Sequence, residues 1–502
     1  MKAIHETIET VARPEKILQF GEGNFLRAFV DWMVDITNEK TGFNGNVVMV
    51  QPLERGMAET INAQKGLYTT VLRGVQDGKE VAELRPIRSV SRCLNAYGDF
   101  DEYVKLAESA DLRFVISNTT EAGIAYAEGD RLDDRPQSSF PGKVTAFLHR
   151  RWKHFGGDPA KGLVFIPCEL IDKNGDKLRE IVLRYAGEWK LGAEFGRWVE
   201  TACDFCNSLV DRIVPGYPKD EAAALCERAG YRDNLLVAAE IFHLWVIETK
   251  RDYSGEFPLV GAGLNVVWTD DMSFYRTRKV RILNGAHTMT VPAAFLSGLD
   301  TVEECMKDPT VRSFLDKGLF EEIIPSMDGD VDALKKYAAD VFERFANPWI
   351  RHLLLSITLN SVSKFKTRDL PSVLGYVAKK GTVPPALAFS IAALIAFYES
   401  AAPEKGTVNA ELTGDRNGQP YPIKDDLAVL ERFAGLYAVK DGDIKSRARR
   451  IARAVLSDSA WWGEDLTAHP ALEDAVSAGL ESIWTVGTRK ALERLVGKTG
   501  KA

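Results

Sequence analysis

The chain has 502 residues, 45% of them hydrophobic, and it exceeds the length at which a single hydrophobic core usually stops growing. Two globular domains are therefore expected, and the change in pattern described below divides them into residues 1–268 and 269–502. With 64 basic and 71 acidic residues the net charge is -7, which excludes the broad positive field of a nucleic-acid-binding protein. We expect a small-molecule partner, with no role for nucleic acid or a membrane.

The compartment predicted from the sequence is the cytoplasm. The first ten residues, MKAIHETIET, lack the basic and apolar regions of a secretory signal, and the longest apolar run, 386–398, is too short to span a bilayer. Six cysteines in a chain of this size suit a reducing compartment. Cys203 and Cys206 form a CxxC pair, but no second pair accompanies it, so we expect both thiols to pack along one helix and no metal site.

The first third of the chain alternates short apolar runs with longer amphipathic segments, as in a parallel sheet with crossover helices. Strands are predicted at 17–20, 47–50, 114–117 and 163–167. From about residue 270 the pattern becomes 3.6-periodic, with helices predicted at 311–324, 331–345, 350–362, 386–398 and 444–456. A polar stretch at 399–425, rich in Gly and Pro, is interpreted as a surface loop. The fold class expected is an α/β Rossmann-type N-terminal domain followed by a mainly α-helical C-terminal domain.

A glycine turn follows the first predicted strand. Gly21 can make a tight turn and Gly23 can let a pyrophosphate approach the start of the next helix, although Leu26 replaces the third glycine of the GxGxxG pattern. The second strand ends at Gln51, where an NAD site often carries an acid that binds the ribose, and Glu54 comes slightly too late. An ordinary loop is the alternative. The residues favour a dinucleotide site and leave the choice between NAD and NADP open.

The run KVRILNGAH places Lys279, Asn284 and His287 within one predicted helical segment. At about 100° per residue, His287 lies about 80° and Asn284 about 140° from Lys279 around the helix axis. An ammonium can protonate a carbonyl oxygen that accepts a hydride, an amide can stabilise the charge on that oxygen, and an imidazole can orient hydroxyl groups. The alternative is a solvated amphipathic helix in which Lys279 belongs with the cations Arg276, Arg278 and Arg281.

Several segments, in this order, resemble the mannitol dehydrogenase family of polyol-specific long-chain dehydrogenases over nearly the whole chain: GEGNFLRAF (21–29), SNTTEAG (117–123), PCELIDKNGDKLRE (167–180), NSLVDRIVPGYP (207–218) and KVRILNGAH (279–287). The resemblance implies metal-independent hydride transfer between NAD and a linear sugar derivative, by a Rossmann domain and a helical domain. The family's K-x4-N-x2-H pattern selects Lys279, Asn284 and His287 as catalytic residues.

The resemblance implies roles for further residues. Asn174, in the Asn-Gly pair after the fourth strand, would be a second oxyanion donor, although the sequence alone favours a turn residue there. Glu121 would relay protons, and the alternative is a carboxylate that caps a helix. Asp211 and Arg212 would line the substrate site, or pair with each other as structure. The cofactor would be bound by Gly21, Gly23, Asn24, Phe25, Arg27, Gln51 and Thr119.

The substrate expected is a keto-sugar acid. The longer phrases QFGEGNFLRAFVDW and IPCELID resemble the sugar-acid members of the family more than the mannitol enzymes, which tend to have Cys-Asp-Asn where Cys168, Glu169 and Leu170 stand. A carboxylate substrate needs a cation, and SKFKTRDLP offers Lys364, first choice, with Lys366 and Arg368. Solvent exposure of these cations beside Asp369 is the alternative. Rival functions are reduction of another sugar-acid epimer, oxidation of an uncharged polyol, and a non-catalytic dinucleotide-dependent sensor; the oligomeric state stays open.

Overall fold

The computed structural model describes residues 1–76, 79–119, 122–400, 411–439 and 442–497. The chain separates into two compact units, Met1–Ser273 and Phe274–Ala502. Among the described residues the strands are β1 Glu15–Phe20, β2 Asn46–Gln51, β3 Tyr68–Gln76, β4 Lys79–Ile87, β5 Val90–Asn95, β6 Phe114–Ser117, β7 Val164–Pro167, β8 Asp204–Phe205, β9 Asn207–Asp211, β10 Val237–Glu240, β11 Leu244–Glu248, β12 Val266–Thr269, β13 Leu412–Arg416 and β14 Gln419–Ile423.

The α-helices in the same residues are α1 Asn24–Arg27, α2 Val30–Lys40, α3 Ala58–Ala63, α4 Phe100–Lys105, α5 Phe140–His154, α6 Asn174–Glu188, α7 Ala193–Ala202, α8 Ala222–Ala229, α9 Ser273–Arg278, α10 Gly285–Leu296, α11 Val302–Lys307, α12 Pro309–Asp316, α13 Ile324–Ser326, α14 Val331–Phe345, α15 Leu354–Ile357, α16 Ser361–Arg368, α17 Leu370–Lys380, α18 Pro385–Phe397, α19 Leu427–Ala438, α20 Ile444–Leu456, α21 Ser459–Trp462, α22 Pro470–Val486 and α23 Thr488–Leu495. Segments of π-helix span Lys279–Asn284 and Lys317–Ile323. Short 3-10 turns lie at Ile4–Glu6, Leu106–Glu108, Pro159–Lys161 and Leu466–Ala468.

The first unit is built on a parallel sheet whose strands, in the described part of the chain, run in the order β5-β2-β1-β6-β7-β8. Phe20 pairs with Val50 on one side and Ser117 on the other, so β1, β2 and β6 end at the same level. The β2 residues are all buried, because a parallel strand covered on both faces needs apolar side chains on both. The loops that leave the carboxyl ends of these strands therefore lie side by side along one edge.

Helices cover both faces of this sheet. Alternate strand residues such as Ile17 and Met49 pack against α2 on one face, and Leu18 and Val48 pack on the other face in a core with α5 and α6. Within the described residues the unit also contains two three-stranded sheets, with the strand orders β10-β3-β4 and β12-β11-β9. The predicted strands agree with β1, β2, β6 and β7 to within two residues at each end. The predicted Rossmann-type class is confirmed for this unit.

The prediction for the CxxC pair was wrong. Cys203 follows the last residue of α7, and Cys206 lies between β8 and β9, so the two thiols do not share a helix. Both are buried free thiols, and burial raises the pKa of each. Within the described residues no cluster of three or more His, Cys, Asp or Glu side chains is arranged to hold a metal ion.

The second unit is mainly helical, as predicted. The buried helix α18 contacts α10 and α22, and α22 also packs against α20. Predicted helices 331–345 and 444–456 agree with α14 and α20 at both ends. The predicted helix 350–362 was wrong, because the chain breaks after α15 and Asn360 adopts a left-handed conformation (φ 55°) before α16. Among the described residues, every helix is too short or too polar to cross a bilayer.

The predicted surface loop at 399–425 contains regular structure. Strands β13 and β14 form an antiparallel hairpin closed by Asn417 (φ 56°) and Gly418 (φ 83°), and Leu412 and Ile423 are buried at its base. Residues 401–410 of the predicted loop lie outside the described residues. Two consecutive residues at positive φ make the type I′ turn that suits the twist of a hairpin.

Candidate active site

The glycine turn lies where β1 ends at the edge of the sheet. Gly21 has φ +109°, and a Cβ there would lie 2.8 Å from the backbone oxygen of Asn118, so only glycine fits without strain. Gly23 is exposed and a Cβ there would meet no atom within 4 Å. A tight turn followed by open backbone allows an elongated ligand to approach the main chain closely, which is what a pyrophosphate requires.

The helix expected directly after the turn is interrupted. Helix α1 has four residues, and α2 begins only at Val30. Arg27 explains part of this geometry, because its buried guanidinium donates to the Leu235 oxygen (2.6 Å), Asn24 Oδ1 (2.7 Å) and the Glu22 oxygen (3.2 Å). Burial lowers the pKa of Arg27. In this structure Arg27 fixes the shape of the turn and Asn24 is exposed beside it, while half-buried Phe25 stacks on Phe29 with ring centroids 5.0 Å apart.

Gln51, at the end of β2, is only 2% exposed. Its Nε2 donates to the backbone oxygens of Leu53 (2.8 Å) and Glu54 (3.1 Å), and its Oε1 accepts from the Ala58 N–H at 3.0 Å. The amide therefore organises the loop between β2 and α3, and binding of ribose by Gln51 would require one of these bonds to be exchanged.

Glu169 ties the ends of β6 and β7 together, and sequence reasoning missed it as a site residue. Its buried carboxylate accepts from Ser117 Oγ (3.0 Å) and from both N and Oγ1 of Thr119 (2.9 Å each). Burial raises the pKa of Glu169, and these hydrogen bonds oppose the increase. An acid two residues after a buried strand was the available signal. Thr119 is thus held at the sheet edge where a cofactor residue was predicted, whereas Glu121 lies outside the described residues.

Asn174 begins α6 and is completely buried. Its Nδ2 donates to the backbone oxygens of Pro167 (2.9 Å), Glu169 (3.0 Å) and Ser208 (3.1 Å), and its Oδ1 accepts from the N–H groups of Gly175 and Ser208. Both amide hydrogens are therefore used within the protein. The oxyanion role predicted for Asn174 would require that one of these bonds be given up to the substrate.

Asp211 and Arg212 lie at the end of β9 and are both buried. The Arg212 guanidinium lies 4.2 Å from the Trp32 ring centroid and donates to the backbone oxygens of Ala28 (2.8 Å) and Glu240 (2.9 Å). Burial lowers the pKa of Arg212 to about 9. These contacts join β9 to the segment after the glycine turn, so Arg212 supports the turn in this structure.

Lys279, Asn284 and His287 lie on a continuous helical segment made of α9, the π-helix Lys279–Asn284 and α10. The Gly285 N–H bonds to the Val280 oxygen, the i to i+5 pattern of a π turn. A π turn winds more slowly than an α turn, so Lys279 and Asn284 lie closer around the axis than the about 140° expected for a regular helix. The structure thus brings the predicted residues onto one side of the segment, where an α-helix would spread them.

His287 is held among aromatic rings. Its ring centroid lies 4.1 Å from that of Phe345 and 5.1 Å from that of His352. The residue keeps some surface exposure, yet burial of its ring and the neighbouring His352 and cations lower the pKa of His287 well below its ordinary value. A neutral imidazole in a positive surrounding can accept a hydrogen bond from a substrate hydroxyl.

Helix α16 brings two predicted substrate cations close to this segment. Lys364 and Arg368 are four residues apart, and both contribute to the positive field at His287. Lys364 Nζ donates to the Ile357 oxygen (2.9 Å), and Arg368 donates to Thr288 Oγ1 on α10 (3.1 Å). Burial lowers the pKa of both side chains. They are half-buried, so the alternative of fully solvated cations does not hold.

Asp369 was not predicted as a site residue. It is fully buried, its oxygens have no hydrogen-bond partner within the described residues, and burial raises its pKa well above the ordinary value. A Cβ on Gly285 would lie 2.7 Å from Asp369 Oδ1, so this carboxyl group packs directly against the glycine that follows Asn284. A side chain at position 285 would require the Asp369 carboxyl group to shift.

Comparisons with known proteins agree with this architecture. Residues 15–260 match the model of the mannitol dehydrogenase Rossmann domain, and residues 271–484 match that of the mannitol dehydrogenase C-terminal domain. The chain is 49% identical over 483 residues to the altronate oxidoreductase of Yersinia enterocolitica serotype O:8, covering 96% of this chain and 97% of the relative. It is 47% identical, with the same coverage, to the altronate oxidoreductase of Escherichia coli O139:H28.

Two solved structures show the same fold. One is the mannitol 2-dehydrogenase of Pseudomonas fluorescens in ternary complex with NAD and D-mannitol, with a TM-score of 0.65 and 23% identity, covering 97% of this chain and 95% of that chain. The other is a substrate-free D-sorbitol dehydrogenase, with a TM-score of 0.76 and 23% identity, covering 98% of this chain and 100% of that chain. With both domain models matched and close relatives along nearly its whole length, the chain belongs to the mannitol dehydrogenase family and is an oxidoreductase acting on CH–OH groups of polyols or sugar acids.

Proposed function

We propose that this chain catalyses the NAD-dependent reduction of D-tagaturonate to D-altronate, and the reverse oxidation, in hexuronate breakdown in the cytoplasm. The observation that carries the proposal is the placement of two half-buried cations, Lys364 and Arg368, beside the helical segment that holds Lys279, Asn284 and His287. The curated relatives named altronate oxidoreductase support the same substrate. Six free cysteines in the described residues suit a reducing compartment.

The residues at the glycine turn fit a dinucleotide. Gly21 leaves no space for a Cβ, Gly23 leaves the backbone open, and Asn24 and Thr119 lie at the same sheet edge. NADH, when bound, would supply the hydride. Phe25, Arg27 and Gln51 contribute by shaping the turn and the adjoining loop, through the contacts described above.

The proton comes from Lys279. As an ammonium group it donates a proton to the carbonyl oxygen of the keto acid, and in the oxidative direction the neutral amine accepts the hydroxyl proton. The Asn284 amide donates to the oxygen as negative charge develops on it, and neutral His287 accepts from a substrate hydroxyl and fixes its orientation. Asn174 as a second oxyanion donor, Glu121 as a proton relay and Asp211 with Arg212 as substrate-side residues complete the proposal.

The substrate carboxylate binds Lys364 and Arg368. An ammonium has three N–H donors and a guanidinium has five. Lys364 uses one on Ile357, and Arg368 uses one on Thr288, so each keeps donors for an anion. Burial disfavours the charged forms of both side chains, and a bound carboxylate would offset this effect by pairing with their positive charges. Binding of the carboxylate at one end of the substrate orients the keto group farther along the chain. A polyol has no carboxylate and would not be oriented in this way.

The test is to follow NADH absorbance with D-tagaturonate, D-fructuronate and D-fructose supplied separately to the purified protein. We expect the highest kcat/KM for tagaturonate. A higher value for fructuronate would make the chain a reductase of that epimer, and a higher value for fructose would make it a polyol dehydrogenase. If NADH binds but none of the three is reduced, the non-catalytic sensor is the better explanation.

A further inference from the structure

The carboxylate of Glu22 lies against the loop that follows β2. The Gly21 N–H donates to the Val50 oxygen at 3.0 Å, so the glycine turn and the end of β2 are neighbours along the sheet edge. Glu22 Oε1 accepts from the Met57 N–H at 3.3 Å. A Cβ on Gly56 would collide with both Glu22 Oε1 and the Gln51 side chain. The glycine turn thus delivers an acid to the end of the second strand, where the sequence places only Gln51.

This position has a defined role in Rossmann-type sites. A carboxylate at the end of the second strand accepts hydrogen bonds from the ribose hydroxyls of NAD, whereas NADP sites place a cation near the 2′-phosphate. The Gln51 amide already bonds to three backbone groups of its own loop. Glu22 is half-exposed, and the hydrogen bond from Met57 is made to Oε1, so Oε2 is available to a ligand donor.

We propose that Glu22 selects NAD(H) over NADP(H), by accepting hydrogen bonds from the adenosine ribose hydroxyls and by repelling a 2′-phosphate. This inference rests on the proposed function, which places the dinucleotide at the glycine turn. The charged neighbours are consistent with it: Arg27 is buried and committed to backbone and Asn24 oxygens, while Glu54 and Arg55 are exposed on the loop. Arg55 is the group through which a 2′-phosphate would bind instead.

The experiment compares Glu22→Gln with wild type and with the matched control Glu54→Gln. Kd values for NADH and NADPH are measured by nucleotide fluorescence, and kcat/KM is measured with both cofactors. A hydrogen bond to a charged group typically contributes enough for an about 10- to 100-fold change in affinity. We expect wild type to prefer NADH and Glu22→Gln to shift the NADH-to-NADPH ratio of kcat/KM by about tenfold or more towards NADPH. Glu54→Gln should keep the wild-type ratio.

Glu22→Ala provides a second variant, which removes the charge without placing an amide against Met57. Unchanged cofactor selectivity in both Glu22 variants would overturn the role of Glu22 while leaving the proposed function standing. A wild-type preference for NADPH that Arg55→Ala abolishes would overturn it as well, because the loop would then be an NADP site. Wild-type protein that binds neither dinucleotide would overturn the proposed function itself.

Discussion

Replacing Arg368 with methionine should impair the reduction of a sugar acid far more than that of an uncharged ketose. Methionine keeps an unbranched apolar stem and removes the guanidinium. Arg368 spends one donor on Thr288, which leaves a pair of N–H groups for a carboxylate. Thr288 Oγ1 loses the hydrogen bond that it accepts from Arg368, and unchanged turnover of an uncharged ketose will show that the fold tolerates this loss.

The magnitude follows from the burial of Arg368. Two hydrogen bonds between charged groups would contribute about 3–6 kcal/mol if fully shielded from water. Arg368 is half-buried, so solvent screening reduces this to about 2–3 kcal/mol. At about 1.4 kcal/mol per tenfold change, the expected loss in kcat/KM for tagaturonate is about 30- to 150-fold.

Steady-state assays with tagaturonate and with fructose measure the difference. Lys366→Met is the matched control, because Lys366 lies on the same helix and is not among the cations with the largest effect on the pKa of His287. The loss should fall mainly on KM for the acid, and kcat/KM for fructose should change little. Equal losses on both substrates, or an equal loss in Lys366→Met, would refute carboxylate recognition by Arg368.

Three further outcomes are expected. Lys279→Ala should reduce kcat by about a hundredfold or more while NADH affinity, measured by fluorescence, is retained, because proton donation is lost and the glycine turn is untouched; normal turnover would remove Lys279 from the mechanism. Gly21→Ala should lower the free energy of unfolding by about 1–3 kcal/mol and weaken NADH binding, because the φ of +109° and the Asn118 oxygen leave no room for a Cβ, whereas Gly23→Ala should fold normally. Burial raises the pKa of Asp31 to about 7, so its carboxyl group stays protonated in the folded state up to about pH 7, whereas in the unfolded state it loses its proton near pH 4. The free energy of unfolding should therefore fall as the pH rises from about 4 to 7. Asp31→Asn should remove that part of the pH dependence in denaturant titrations, and parallel pH profiles would contradict the assignment.

The sequence predicted most of the elements that have a clear period. Strand β6 and helices α14 and α20 agree with their predicted bounds, because β6 is a short apolar run and the two helices repeat apolar residues every three to four positions. The hairpin β13–β14 was missed although Asn417-Gly418 is a strong turn signal. Its strands, LTGDR and QPYPI, carry few apolar residues, so the turn lacked the alternating flanks that would have identified it.

The sequence predicted which candidate residues share one helical segment, and it did not predict the hydrogen bonds that the candidate residues make. The spacing of Lys279, Asn284 and His287 pointed to one helical surface, but a π turn has no sequence signature that distinguishes it from an α-helix. The three backbone acceptors of Asn174 come from segments up to 34 residues away along the chain, so its burial could not be seen locally. The position of Glu22 could not be predicted for the same reason, since its hydrogen bond with Met57 depends on how β1 and β2 pair.

The π turn between α9 and α10 also constrains how this segment can change. Loss of one residue between Lys279 and Asn284 would let the helix regain ordinary i to i+4 bonding, and would gain local stability. It would also turn the amine by about a quarter of a revolution relative to the imidazole. The proposed mechanism needs both groups on one side of the segment, so we expect deletions to be rarer in these six positions than ordinary substitutions.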